Sequence, residues 1–297
     1  KIYYTMSSII GLDGLVPTIK IIKYTNRIAV ANKEAIICGW NIIRKEIAKY
    51  KTIFLPVDSE HFSIWEILNS KFNGEIDKIY ITASGGPFLN KKRKQIKNAK
   101  INEALNHPNW KMGKKITIDS ATMINKVFEV IETKNIFNIE YKKIFILIHP
   151  KSYIHAIIKF KNGIIKILAH DTSMKIPIFN TLYYGTKNNV KSNSIDIKKL
   201  NNLKLEFIKV KNFPSIKILE GLPHISSLYE TILVTLNDEL VKKFLNRQIK
   251  FYQITEYLSK FLKIKEFQKY KSIKPKKIQE IIELSKYVRL KLRTLSI

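Results

Sequence analysis

The sequence predicts an α/β protein that ends in a helical unit, and three patterns lead there. Short apolar runs alternate with segments of helical spacing through about Thr82, the arrangement of a parallel sheet with helices packed on it. Strand-like runs then flank Asn162-Gly163, a dipeptide suited to a tight hairpin turn. Beyond Phe213-Pro214 the apolar residues recur almost entirely with helical period.

Taken in order, Lys1 is followed at once by a run that reads as a buried strand. Thr18 to Arg27 has helical spacing, with Pro17 ahead of it where a helix start tolerates proline. Ile28 to Val30 reads as a short buried strand leading into Ala31-Asn32-Lys33-Glu34, and Ala35 to Tyr50 as a helix. Thr52 to Val57 and Lys78 to Thr82 are further strands, each followed by a polar or Gly-bearing turn. From Asp119 the pattern changes. Ser120 is placed to cap a helix that runs to about Thr133. Strands follow at Ile144 to Ile148, Tyr153 to Phe160 and Ile164 to Ala169. The polar stretch Thr186 to Lys204 reads as linker, and helix returns through Ile281 to Leu295.

A chain of 297 residues that is 45% hydrophobic can bury a sizeable core in two or three units. Its only cysteine, Cys38, allows no intrachain disulfide and fits a reducing, cytoplasmic compartment. No apolar run approaches the roughly 18 residues of a membrane span, and no secretory pattern is present, so no membrane partner is expected. The chain starts without Met, so the beginning of the gene product is expected to be missing. The net charge of +29 raises nucleic-acid binding. The cations are nearly all lysine, however, whereas base readout and phosphate forks favour arginine. The lysines are spread among Ile, Asn, Tyr and Phe, residues with A- and T-rich codons, so genome composition accounts for the charge without a nucleic-acid partner. Lys91-Lys92-Arg93-Lys94, the densest basic run, reads as a solvated loop.

Ligands of parallel sheets gather at the carboxyl ends of strands, where Asn32 to Glu34, Asp58 to His61 and Ser84 to Pro87 fall. Asp58 and Glu60 are two apart. On an extended chain both would point to one side and could face one ion, Mg²⁺ or Mn²⁺ for hard oxygen donors; a solvated strand end is the alternative. Asn125 and Glu129 share a helix face, with Lys126 one step round. With Ser120 at that helix's amino end, Asn125 and Lys126 could hold a phosphate while Glu129 reaches a metal; an ordinary amphipathic helix with a surface Glu–Lys pair is the alternative. Ser84-Gly85-Gly86-Pro87 lets backbone N–H groups approach a ligand, or forms a tight turn. His107-Pro108-Asn109-Trp110 with Met112-Gly113 suits a lid that excludes water, or a core tryptophan beside a capping histidine.

The wording and order of ANKEAIICG, PVDSEH, ASGGPF, HPNWKMGKKITIDSATMINK and IHPKSYIH resemble 1-deoxy-D-xylulose 5-phosphate reductoisomerase, strongly from about Gly11 to about Pro177 and more faintly to the end. The resemblance implies an NADP-dependent oxidoreductase of isoprenoid biosynthesis. It would convert 1-deoxy-D-xylulose 5-phosphate into 2-C-methyl-D-erythritol 4-phosphate with NADPH and Mg²⁺ or Mn²⁺. The implied fold is the remainder of a Rossmann-like NADP-binding domain over 1–58 and a central α+β catalytic and dimerisation domain over 59–185. A linker over 186–212 and a C-terminal helical domain over 213–297 complete it. Asp58, Glu60 and Glu129 are the implied metal carboxylates. Ser84, Ser120, Asn125 and Lys126 are the implied phosphate cradle, with His107 closing over the substrate, and Lys33 and Ser59 are the implied partners of the substrate's carbonyl and hydroxyl oxygens. Lys33, Glu60 and His107 are the implied catalytic set. Asn32, Glu34 and Gly113 are the implied cofactor contacts, and Trp110 and Met112 the lid. A homodimer through the strands from Ile144 to Ala169 is implied as well.

Two features depart from the family pattern. No Gly-rich cofactor turn is present, Gly11 and Gly14 belonging to a later segment, so the chain as given is expected to hold NADPH poorly. His170-Asp171-Thr172-Ser173-Met174 also stands where the family usually has Gly-x-Pro-Asp-Met. A truncated or decayed relative that keeps the fold without catalysis is one rival reading; a basic nucleic-acid-binding protein is the rival from another class.

Overall fold

The computed structural model describes residues 1–70 and 74–294. The first part alternates β1 (Ile2–Ser7), α1 (Leu15–Ile21), β2 (Thr25–Val30), α2 (Lys33–Tyr50) and β3 (Ile53–Pro56). Its strands form a parallel sheet in the order β1-β2-β3. Next come α3 (Ser59–Asn69), β4 (Ile76–Ala83), α4 (Arg93–Lys97), α5 (Ile101–Leu105), α6 (Lys114–Ala121) and α7 (Ile124–Phe137). β5 (Ile144–Ile148), β6 (Ile154–Phe160), β7 (Ile165–Ala169), α8 (Lys175–Leu182), α9 (Ile197–Asn201) and β8 (Glu206–Phe207) follow. They complete a second sheet in the order β7-β6-β4-β5-β8, in which only β4 and β5 run parallel. A 3₁₀ segment, Pro214–Gly221, leads into α10 (Tyr229–Leu245), α11 (Phe251–Leu262), α12 (Lys265–Gln268) and α13 (Ile278–Thr294).

Several sequence expectations need correction. β4 does not extend the first parallel sheet; it is the middle strand of the second, where β6 pairs with it antiparallel. Periodicity marks a strand but not its partner. The strand after Lys1 is real, yet only Ser7 of it is buried. The first helix begins earlier than Thr18 and takes Pro17 into its first turn, where no N–H is required of it; Thr25 to Arg27 already belong to β2. Ser120 is not a helix cap. It lies in the last turn of α6, and the helix breaks at Met123, whose φ of 62° is left-handed. Of the basic run, Arg93 and Lys94 open the short helix α4, and Lys91, Lys92 and Lys94 are exposed. The segment 186–212 contains α9 and also β8, which pairs with the edge of β5. Residues 295–297 of the last expected helix lie outside the described residues.

One apolar cluster runs from α1 and α2 through α7 into the C-terminal helices. α7 sits at its centre and is buried all round. Val127, Phe128 and Ile131 contribute the apolar faces, each fully buried side chain stabilising by roughly 1.5–3 kcal/mol. A helix so enclosed places any carboxylate it carries in a dry setting, and α7 carries two, Glu129 and Glu132. Against it packs α2, started by Asn32, whose Oδ1 accepts from the Ala35 N–H at 2.7 Å.

Candidate active site

The carboxyl ends of β2, β3 and β4 meet the amino-terminal half of α7 around a cavity of about 230 Å³. Asp58 ends the β3 segment at the N-cap position of α3, and Ser59 and Glu60 form that helix's first turn. The extended-chain argument for Asp58 and Glu60 therefore fails. A helix start brings them together instead, and the first turn also favours their charge. Ligand oxygens of Asp58, Glu60 and Glu129 lie within 4.8 Å of one another. Glu129 is 1% exposed, so the surface-pair alternative for α7 is excluded.

Two buried lysines hold these carboxylates apart. Lys33, at the start of α2, donates to Asp58 Oδ2 at 2.8 Å and to Asn125 Oδ1 at 2.7 Å. Lys126 donates to Glu60 Oε1 at 2.8 Å, to Glu129 Oε2 and to the Thr82 carbonyl. Burial alone would lower both ammonium pKa values, but the surrounding carboxylates outweigh it and raise them. The carboxylates divide. Burial raises Glu60, yet the Lys126 charge and the hydroxyl of Ser59 at 2.6 Å bring it down to about 2. Burial and the Glu60 charge together push Glu129 up to about 8. Such a split marks an acidic centre with less positive charge around it than it could hold.

On the far side of the cavity, His107 Nδ1 accepts from the N–H groups of Asn109, at 3.2 Å, and Trp110, at 3.0 Å. Burial takes His107 down to about 4, so the ring is neutral with its proton on Nε2, 3.1 Å from Ser84 Oγ. Ser84 Oγ accepts there and from Gly86 N–H, which leaves its own hydrogen to donate to a ligand. That bond takes one of the paired glycines out of ligand contact and leaves Gly85 on the cavity lining. Gly86 spends its N–H on Ser84, and a Cβ on it would stand 3.2 Å from the Ser120 carbonyl, so α6 requires the glycine. Ser120, Asn125, Lys126, Trp110 and Met112 line the same cavity. The Asn109 amide pins the segment by donating to Pro150 O at 2.7 Å and Ser152 Oγ at 2.8 Å.

The remaining candidates lie elsewhere. Asn32 spends its side chain on Ala35 N–H and on the carbonyls of Ile9 and Gly11. Glu34 pairs with Lys115 at 2.8 Å, in a second buried cluster where Lys115 also meets Asp119 and Asp238, each at 3.0 Å. Gly113 stands at the amino end of α6 with open space where a Cβ would be. Glu132 and His155 escape sequence reasoning, and His61 enters it only as the end of the stretch Asp58 to His61; all three are buried beside the cavity or its acidic centre. The spacing of Asn125, Glu129 and Glu132, one face of one helix, could have found Glu132.

Matches to known proteins agree along the whole length. Residues 54–137 match the model of the 1-deoxy-D-xylulose 5-phosphate reductoisomerase C-terminal domain, 170–291 that of the DXP reductoisomerase C-terminal domain, and 1–39 that of 1-deoxy-D-xylulose 5-phosphate reductoisomerase. The reductoisomerase of Pelagibacter ubique is 58% identical over all of this chain and 76% of that protein; that of Clostridium tetani is 37% identical over 97% and 74%. A crystal structure of DOX-P reductoisomerase with NADPH, fosmidomycin and magnesium superposes with a TM-score of 0.89 at 31% identity, covering 97% of this chain and 74% of that one. The Zymomonas mobilis enzyme with NADPH superposes at 0.86 and 28% identity, covering 98% and 74%. The chain belongs to the 1-deoxy-D-xylulose 5-phosphate reductoisomerase family.

Proposed function

We infer that this cavity isomerises and reduces 1-deoxy-D-xylulose 5-phosphate to 2-C-methyl-D-erythritol 4-phosphate. The observation that carries the reading is the acidic centre of Asp58, Glu60 and Glu129 beside a neutral His107 and two lysines in one cavity. Three oxygen donors, one of them raised to about 8 by burial and by the Glu60 charge beside it, fit Mg²⁺ or Mn²⁺. When bound, the ion supplies Lewis-acid polarisation of the substrate's oxygens and NADPH supplies the hydride.

The chain's own groups do the rest. Lys33 and Ser59 reach the substrate's carbonyl and hydroxyl oxygens, and the ammonium stabilises negative charge that develops there. Ser84, whose hydroxyl hydrogen is left to donate, leads the proposed phosphate cradle, with Ser120, Asn125 and Lys126 turning to the anion from their present partners and His107 closing over the substrate; the distance of the phosphate from the reacting carbons turns its binding energy into positioning. Trp110 and Met112 cover the cavity and keep water out. Asn32, Glu34 and Gly113 are the proposed cofactor contacts. With the two side chains already engaged, they would act through backbone groups. A cytoplasmic location goes with this reading, supported by a single, buried cysteine.

The deciding assay is NADPH oxidation that depends on both 1-deoxy-D-xylulose 5-phosphate and Mn²⁺. Oxidation of equal rate in Glu60→Gln would overturn the assignment of the site. Assembly is a separate proposal: a homodimer through the second sheet. β7 is an edge strand with Ile165 and Ile167 about half exposed, an unprotected apolar edge suited to pairing across a two-fold axis. A monomer in sedimentation at micromolar concentration would refute it.

A further inference from the structure

Behind the acidic centre, further from the cavity, His61 and Glu132 face each other and the mechanism uses neither. His61 is fully buried and Glu132 is 1% exposed. His61 Nε2 is 3.0 Å from the Glu129 carbonyl, which can only accept, so Nε2 carries the ring's proton. Thr133 Oγ1, 3.1 Å from the same nitrogen, gives its own hydrogen to that carbonyl. The lone pair of the neutral ring therefore sits on Nδ1, which has no hydrogen-bond partner among the described residues. It lies 3.9 Å from Glu132 Oε2, likewise without a hydrogen-bond partner among the described residues. Two buried acceptor atoms at this separation need a proton or a cation between or beside them, and burial already raises the Glu132 carboxyl well above the usual range.

Lys33 answers that need only in part. Its ammonium is 3.9 Å from Glu132 Oε2, beyond hydrogen-bond reach, because it is spent on Asp58 and Asn125. A ligand oxygen of Asp58 completes the group, and the three atoms lie within 4.8 Å of one another. The geometry is that of a metal-binding histidine, which ordinarily donates its other ring N–H to a carbonyl or carboxylate. Here that carbonyl belongs to Glu129, itself one of the three carboxylates of the acidic centre.

We propose that Asp58, His61 and Glu132 form a second divalent-cation site, sharing Asp58 with the first and taking Mn²⁺, Co²⁺ or Zn²⁺ in preference to Mg²⁺. An imidazole nitrogen among oxygens sets this selectivity, since Mg²⁺ favours oxygen alone. The proposal goes beyond the reading of the cavity as a reductoisomerase site and stands without it.

Mn²⁺ titration of the full chain, followed by electron paramagnetic resonance, tests it, because an imidazole ligand imprints nitrogen hyperfine coupling on the bound ion. The expected result is two equivalents of Mn²⁺, one with nitrogen coupling that resists displacement by Mg²⁺. His61→Gln and Glu132→Gln should each abolish the coupled ion and keep the other; Glu60→Gln should do the reverse. The wild-type spectrum needs no variant, and the nearly isosteric Glu132→Gln serves if His61→Gln does not fold. One equivalent without nitrogen coupling overturns the second site and leaves the first. One equivalent with nitrogen coupling that survives in Glu60→Gln keeps the second site and overturns the first.

Discussion

Two buried clusters in this protein are made of the same parts and do different work. Around Lys33 and Lys126 stand Asp58, Glu60, Glu129 and Glu132; around Lys115 stand Glu34, Asp119 and Asp238. Both carry more carboxylates than lysines. The first opens onto the cavity, so the missing positive charge can be supplied by a ligand that comes and goes. The second lies where α2, α6 and α10 meet, and settles its deficit internally: burial raises Asp238 to about 6, and Asn237 Nδ2 donates to Asp119 at 2.7 Å. Charge composition alone does not separate a reactive centre from a structural joint. A cavity that a ligand can enter does.

The contrast breaks most sharply on substitution. Glu60→Gln keeps the volume and removes one charge from the acidic centre. It should lower kcat/KM by roughly three to four orders of magnitude, the scale of several kcal/mol of transition-state stabilisation, and leave the melting temperature unchanged or higher. Lys115→Met should do the opposite. Three carboxylates lose their cation, destabilising the fold by roughly 3–5 kcal/mol, with kcat preserved in whatever fraction stays folded. Thermal melts and steady-state kinetics on both variants decide the matter; similar losses of activity would merge the clusters into one functional unit.

Much of this was legible in the sequence, and the exceptions have physical causes. The strand and helix alternation through α2 and β3 and the hairpin at Asn162-Gly163 follow from local period and turn chemistry. The break at Met123 does not, because no glycine announces the left-handed residue. The Thr122 carbonyl accepts from Ser215 Oγ at 2.5 Å, a contact 93 residues away that helps fix the local path. Asp58-Ser59-Glu60 reads as a strand end by local pattern, although an acidic first turn is a helix-start signal; the start of α3, not an extended chain, groups Asp58 and Glu60. Glu132 and His61 stayed hidden because their meeting is made by packing α3 against α7.

A smaller effect sharpens the comparison through pH. Glu129, at about 8, and Asp238, at about 6, are both raised above the unfolded-chain value of about 4. Between those limits the native state holds protons that the unfolded chain has released, so both carboxyls make stability fall as pH rises, Asp238 up to about pH 6 and Glu129 on to about pH 8. Saturating Mn²⁺ should displace the Glu129 proton and remove its part of the decline while leaving that of Asp238. Melting temperatures across this range, with and without Mn²⁺, should therefore diverge most between about pH 6 and pH 8. A constant offset at every pH would mean that the metal does not engage Glu129.

The smallest expected effect belongs to the joint. Asn237 donates to Asp119 at 2.7 Å, while its own Oδ1 is buried without a partner among the described residues. Asn237→Leu loses a hydrogen bond to a charged group, and at the same time removes a buried acceptor that nothing satisfies. The two changes oppose each other, so the net destabilisation should be only about 1–2 kcal/mol, a fall of a few degrees in melting temperature. Asp119 retains Lys115 at 3.0 Å, so the cluster should not collapse. Because Asp119 immediately precedes Ser120 on α6, any loosening would be felt in the KM for the phosphorylated substrate before it reached kcat. We expect neither constant to change by more than about twofold. A raised KM with kcat intact would show that the joint sets the position of the phosphate contacts as well as the fold.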